Sequence, residues 1–223
     1  MEGEAPAGAS PLGLVERRIL GVLVEKARTV PDTYPLSLNA LLAGVNQKTA
    51  RVPVMEASDA EVLTAVDGLK ALSLVFEGSG SRVVRYEHNL GRVYRLDAAA
   101  VALLATLLLR GAQTSAELRL HAERLQRFAD IAAVEGFLEE LAAKEPARVL
   151  KLPRAPGARE VRWAHLLCGE VAADLAAAHA ADGGVSAGEI AALKGECARL
   201  ADEVQRLREW AQRVAGDLGV PAP

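Results

Sequence analysis

Residues 37–88 read SLNALLAGVNQKTARVPVMEASDAEVLTAVDGLKALSLVFEGSGSRVVRYEH, and this stretch decides the fold. Ser37 precedes apolar residues at helical spacing, and Ser58 with Glu61 has the spacing of a capping box before a second helix. Two β-prone runs, 74–76 and 82–86, then flank a glycine-rich turn. Helix, helix and hairpin in this order predict a winged helix-turn-helix. The second helix is expected to bury one row of residues: Val62, Val66, Leu69 and Leu72.

The region before this stretch supplies one more helix. Residues 14–26 have apolar side chains at helical spacing, and Pro31 and Pro35 prevent the helix from continuing. Residues 1–13 are mostly Ala, Gly and Pro with two acids, so we expect a disordered leader.

A looser copy of the pattern follows between Thr114 and His165. An apolar helix is predicted over 98–109, a second helix begins in 114–119, and a third is predicted over 130–144, whose inward residues are Ile131, Val134, Phe137, Leu138 and Leu141. Strands 148–152 and 159–163 bracket a longer hairpin tip. The chain is therefore predicted to be mainly α with small β-ribbons (α+β), with tandem winged helix-turn-helix domains over 14–96 and 97–168.

The C-terminal part is predicted to be a helical linker over 169–185 and a coiled-coil-like helix over 186–219. Apolar residues alternate by three and four along that helix, which is the pattern of a heptad seam. A parallel homodimer is the first interpretation, and a helix that folds back on its own domains is the alternative. The seam residues are Ile190, Leu193, Cys197, Leu200, Val204, Leu207, Val214 and Leu218.

Composition indicates a cytoplasmic, globular protein. The 223 residues are 51% hydrophobic, 25% charged and only 4% aromatic, with a net charge of −3. No apolar run reaches the roughly 20 residues that a membrane span needs. The acidic N-terminus is unlike that of a signal peptide, so no membrane attachment is expected.

No catalytic, metal or cofactor site is predicted. The segment 78–81 is rich in glycine but lacks the lysine and helix of a phosphate loop. His165 and Cys168 have the spacing of metal ligands, yet no second pair accompanies them. His88 and His165 are expected to finish a ribbon strand in each unit. We therefore predict that the protein is not an enzyme.

Double-stranded DNA is the first predicted partner. Acidic residues such as Asp59 and Glu61 on the second helix would face phosphates, so contacts are expected from the ribbons and the polar connection instead. The alternative is a protein partner, held by the acidic helices and the C-terminal helix. The plainest alternative is that the ribbon arginines are only solvated strand edges. The predicted contact residues are Asn46, Gln47, Lys48, Arg51, Arg82, Arg85, Arg154 and Arg159.

Several short sequence motifs of the first unit resemble those of the YceH-like family of uncharacterised bacterial proteins. The matching motifs are LVERRILG at 14–21, YPLSLNAL at 34–41, NQK at 46–48, PVM at 53–55, SRV at 81–83 and YEH at 86–88. The resemblance implies a pair of winged-helix domains, and it supplies no activity.

Overall fold

The protein is mainly helical with two small antiparallel sheets, as the sequence predicts. The structure is a computed structural model that describes residues 11–78, 83–154 and 159–169, and positions 199, 204–206, 209 and 212. The chain divides into two compact units, Met1–His179 and Ala180–Pro223. All the elements described below belong to the first unit.

The first half of this unit contains four helices and a three-stranded sheet. Its helices are α1 (Leu14–Thr29), α2 (Leu38–Val45), α3 (Asp59–Ala71) and α4 (Leu90–Tyr94), and its strands are β1 (Leu36–Ser37), β2 (Val75–Gly78) and β3 (Arg85–His88). The second half contains α5 (Ala98–Arg110), α6 (Ser115–His121), α7 (Ile131–Ala142), β4 (Val149–Lys151) and β5 (Trp163–His165).

The first sheet has the strand order β1-β3-β2, with Leu36 opposite Tyr86 and Glu77 also opposite Tyr86. Its hairpin lies further along the chain than predicted. Strand β2 continues to Gly78, inside the predicted turn, and β3 begins only at Arg85. Predicting the turn from its glycines alone placed it too early.

The second sheet repeats this arrangement in a reduced form. Strands β4 and β5 pair with Val149 opposite His165, and Gln113 adds an isolated bridge to Trp163 on the other side of β5. Gln113 therefore occupies the same place in the second sheet as β1 does in the first: it precedes a helix and pairs with the last strand of the sheet. The predicted strand 159–163 was wrong, because β5 begins at Trp163 while the side chain of Arg162 turns to α6 and bonds Glu117.

A continuous core joins the two halves. Helix α5 is buried from Ala100 to Leu109, and it packs against α1, where a Cβ on Gly21 would lie 2.7 Å from Leu109 Cγ. The residues predicted to face inward are buried, except Leu72 and Phe137, which are half-buried, and Ile131, which is 44% exposed. The prediction for Ile131 was wrong because this residue, although on the same row as Val134 and Leu138, is the first of α7 and lies at the exposed end of that row.

Other predictions fall outside the described residues. They are Arg82, residues 1–10 of the leader, residues 170–185 of the linker and all the heptad positions except Val204, which is 46% exposed. Among the described residues, no helix is long and apolar enough to cross a membrane.

Candidate functional site

The polar connection between α2 and α3 is bonded to itself. The side-chain amide of Asn46 forms two hydrogen bonds with Ala57. Its NH₂ group donates to the Ala57 carbonyl at 2.8 Å, and its oxygen accepts from the Ala57 N–H at 2.7 Å. The Gln47 amide donates to the Thr49 carbonyl at 2.9 Å. These predicted contact residues are occupied in closing the loop that leads into α3.

Arg51 requires a correction, because the sequence suggested that it faces a partner. Its side chain is fully buried, and its guanidinium forms a two-pronged pair with Glu25 on α1 at 2.6 and 3.2 Å. It also donates to the carbonyls of Gly44 at 3.2 Å and Ala50 at 2.9 Å. Burial would raise the pKa of Glu25, but the hydrogen bonds and charge of Arg51 outweigh it and lower that pKa. Arg51 therefore holds the connection to the body of the protein.

Arg18 has the same role and was not predicted. It is 1% exposed, and it donates to the Val45 carbonyl at 3.2 Å and to the Pro53 carbonyl at 2.5 Å. Burial, with the positive charges of Arg51 and Arg17, lowers its pKa to about 10. The signal in the sequence was its position four residues before Val22, on the apolar row of α1.

The remaining predicted contact residues that the structure describes are exposed. Lys48, Arg154 and Arg159 lie at the surface, and the exposed Arg85 donates to the carbonyls of Pro35 at 2.8 Å and of Thr33 at 3.4 Å. Only part of the predicted basic set is therefore available to an outside partner.

Helix α3 presents one of its sides to the surface of the protein. Its inward row is buried, and its N-terminus has the predicted capping box, in which the Ser58 N–H donates to the Glu61 carboxylate at 2.8 Å. In the centre of its outward row, Leu63 is 40% exposed. The row consists of the exposed Ala60, Leu63, Thr64, Asp67 and Ala71 together with the partly exposed Lys70, which is its one basic residue.

The first hairpin continues this surface. Lys70 of α3 bonds both Asp67, at 3.5 Å, and Glu77 of β2. Phe76, which is 41% exposed, lies opposite Glu87 on the other side of the sheet from Glu77, because neighbouring residues of a strand point to opposite faces. We call the outward row of α3 together with Glu77 the α3–hairpin face.

The second half differs in its charges. The outward side of α7 has exposed Glu135, Glu139 and Glu140. The end of α6 and the connection that follows it have exposed arginines that the sequence analysis missed, although their spacing of five and three residues was visible: Arg119, Arg124 and Arg127.

Each of the two histidines named from the sequence ends a strand, His88 in β3 and His165 in β5. His165 is 6% exposed and accepts a hydrogen bond from Arg17 Nη1 at 3.2 Å. Burial, with the charge of Arg17, lowers the pKa of His165 to about 3, so its ring is neutral at pH 7. This bond ties α1 to the second sheet.

Comparison with known proteins gives full-length relatives. A family model described as "Protein of unknown function, DUF480" matches residues 12–158. A UPF0502 protein of Leptothrix cholodnii is 66% identical over 92% of this chain and 95% of its own length. UPF0502 proteins of Burkholderia thailandensis and Cupriavidus necator are 61% and 58% identical, over 93% and 98% of this chain and 89% and 93% of their own lengths.

Proposed function

The chain belongs to the DUF480 family, and from that premise we propose that it is a non-enzymatic winged-helix protein that binds another protein through its α3–hairpin face. The observation that carries this proposal is the outward row of α3. A helix that enters the major groove presents Arg, Lys, Asn or Gln to bases and phosphates. Apart from the paired Lys70, this row presents small and apolar residues with Asp67 among them.

Electrostatics favour a protein partner over DNA at this face. A carboxylate about 4 Å from a phosphate is repelled by roughly 1 kcal/mol even at the dielectric constant of water. Asp59, Glu61 and Asp67 are all exposed on α3, and its Lys70 is already paired. A basic protein surface would turn the same charges into attraction.

Apolar exposure supports the same partner. Leu63, in the centre of this face, is a large apolar residue with 40% of its surface open. An apolar centre surrounded by polar residues is the usual arrangement of a protein interface.

The buried arginines then have a supporting role. Arg18 and Arg51 hold the α2 end and the middle of the connection, and Asn46 holds the end that leads into α3. The polar segment that would otherwise reach a nucleic acid therefore fixes the position of the face.

The test is a capture experiment followed by a binding measurement. The full chain is used to recover proteins from a nuclease-treated extract of its source cells, and a recovered protein is then purified and titrated by calorimetry. Leu63→Asp should weaken its binding about tenfold or more, because the centre of the face gains a buried charge. Ile131→Asp is the matched control, since Ile131 is 44% exposed on α7. A partner whose affinity is unchanged by Leu63→Asp would refute the proposal, and so would an extract from which no protein is recovered.

DNA is the second candidate, and the exposed arginines of the second half favour it. Arg154 and Arg159 flank the second hairpin tip, Arg119 lies in the last turn of α6, and Arg124 and Arg127 lie in the α6–α7 connection. Such a surface would contact phosphates without base readout. Binding of a labelled duplex should then weaken steeply between 50 and 200 mM salt and be lost in Arg154→Glu/Arg159→Glu, whereas binding that is absent at 50 mM salt would end this candidate.

A further inference from the structure

A second surface of the protein has the opposite charge to the α3–hairpin face. At the end of α6 and in the connection that follows it, Arg119, Arg124 and Arg127 are exposed. Leu120 follows Arg119 and is 68% exposed, more than any other large apolar side chain in the part of the chain that the structure describes. We call Leu120 together with these three arginines the α6-end surface.

The backbone places Leu120 beside Arg124. The helical turn continues past the end of α6, because the Gln126 N–H donates to the Ala122 carbonyl at 2.8 Å. Leu120 and Arg124 are therefore four residues apart on helical backbone, and side chains at this spacing are neighbours. An apolar side chain and a positive charge thus lie together on the exposed side of this turn.

The rest of the connection is held against the body of the protein. The Arg119 guanidinium donates to the Ala129 carbonyl at 3.1 Å. Phe128, which is 6% exposed, meets Phe137 of α7 edge-on with ring centroids 5.9 Å apart. Arg127 directly precedes this buried ring. Because the connection is fixed in this way, a partner that binds it loses less free energy in ordering the surface.

The positive charge of this surface is available to a partner. Among the ion pairs of the described residues, none includes any of the three arginines. The bond of Arg119 to a neutral carbonyl leaves its charge uncompensated. Over residues 119–127 the only carboxylate is Glu123, so the net charge is 3 − 1 = +2. The next carboxylate, Asp130, caps α7.

An acidic protein segment fits this surface better than a nucleic acid does. A duplex carries a phosphate charge about every 1.7 Å along its axis, so it would bring negative charge to Glu123 and to the apolar Leu120 as well as to the arginines. A protein segment can place its carboxylates opposite the arginines and cover Leu120 with an apolar side chain.

We propose that the α6-end surface binds an acidic protein segment, with one large apolar side chain of the segment on Leu120 and its carboxylates on Arg124 and Arg127. This inference goes beyond the proposed function, since the α3–hairpin face is acidic and suits a basic partner. It uses arginines that also favour the DNA candidate, so duplex binding is measured in the same test.

The test uses the full chain and a displayed library of random 12-residue peptides as the probe. We expect a class of selected peptides with two or more carboxylates and a large apolar residue. Leu120→Gln keeps a side chain of similar length but removes the apolar contact, so it should weaken the binding of these peptides about tenfold or more. Leu150→Gln is the matched control, because Leu150 is 43% exposed on β4, and it should change their affinity less than twofold.

A labelled DNA duplex is titrated with the same proteins and with Arg124→Glu. Acidic peptides that lose affinity in Leu120→Gln and in Arg124→Glu, but not in Leu150→Gln, would support the inference. A library without an acidic class, or acidic peptides that bind Leu120→Gln as tightly as the wild type, would overturn it. Duplex binding that Arg124→Glu abolishes, with no acidic peptide selected, would assign the surface to nucleic acid instead. The proposed function is judged separately by Leu63→Asp with the captured protein, so the two can fail independently.

Discussion

Replacement of Arg51 by Met is the sharpest test of the structural role assigned to the polar connection. Methionine has a similar length and removes the charge and every donor. The change would deprive the Glu25 carboxylate of its two-pronged partner and leave the carbonyls of Gly44 and Ala50 without their donor. Glu25 would keep only Lys26, whose Nζ lies 3.1 Å from its Oε2.

The expected cost follows from these contacts. Removing one member of a buried ion pair typically destabilises a protein by about 3–5 kcal/mol. Because Lys26 still neutralises part of the charge and Glu25 is not sealed off completely, we expect about 3 kcal/mol. The exposed Lys48 in the same connection provides the control, and Lys48→Met should change the free energy of unfolding by less than about 0.5 kcal/mol.

The assay is urea denaturation followed by circular dichroism for the wild type and both variants. The pH dependence of the difference in unfolding free energy between wild type and Arg51→Met provides a second test. The pKa of Glu25 is held below its ordinary value of 4.5 in the folded protein, so the pair stabilises fully above that pH, and its contribution is lost as the pH falls through the folded pKa. The difference between wild type and Arg51→Met should therefore shrink in acid. A loss below about 1 kcal/mol at pH 7, or a difference that grows as the pH falls, would refute the role given to Arg51.

Three further predictions concern packing, protonation and assembly. Gly21→Ala should destabilise the protein by about 1–3 kcal/mol, because its Cβ would lie 2.7 Å from a leucine side chain of α5. Gly136→Ala, whose Cβ would meet nothing within 4 Å, should stabilise the protein by up to about 1 kcal/mol. Thermal unfolding of the two variants measures both effects. The pKa of His165 is lowered from 6.5 to about 3, so below pH 6.5 the unfolded chain takes up a proton that the folded protein does not, and the free energy of unfolding should fall by about 1.4 kcal/mol per pH unit. His165→Gln cannot take up that proton, so a pH series of urea denaturation should show a flatter decline for this variant. The heptad pattern predicts a dimer that Leu200→Glu/Leu207→Glu converts to a folded monomer, and light scattering that still reports a dimer would remove that idea.

Local patterns predicted the helices well because caps and periodicity are properties of neighbouring residues. The capping box of Ser58 and Glu61 placed the start of α3 correctly, with Asp59 as its first helical residue. The apolar run of α5 was predicted to end within one residue of its observed end at Arg110. In both cases the interactions that decide the boundary lie within four residues along the chain.

The candidate site was less predictable because its interactions span the chain. A run of Asn, Gln, Lys, Thr and Arg is typical of exposed polar segments. Arg51 is nevertheless buried, because its guanidinium pairs with the carboxylate of Glu25, which lies 26 residues earlier in α1. No periodicity connects the two positions. The acidic character of α3 was visible in the sequence, but the exposure of Leu63 on it required the packed structure.

Photocrosslinking from position 63 in living cells tests the central claim most directly. A benzophenone amino acid replaces Leu63 in the full chain, and a second variant with the same group at the exposed Gly136 of α7 serves as the control. The proposed function predicts a discrete protein adduct from position 63 that is absent from position 136. Adducts to nucleic acid from position 63, or the same protein adducts from both positions, would contradict it.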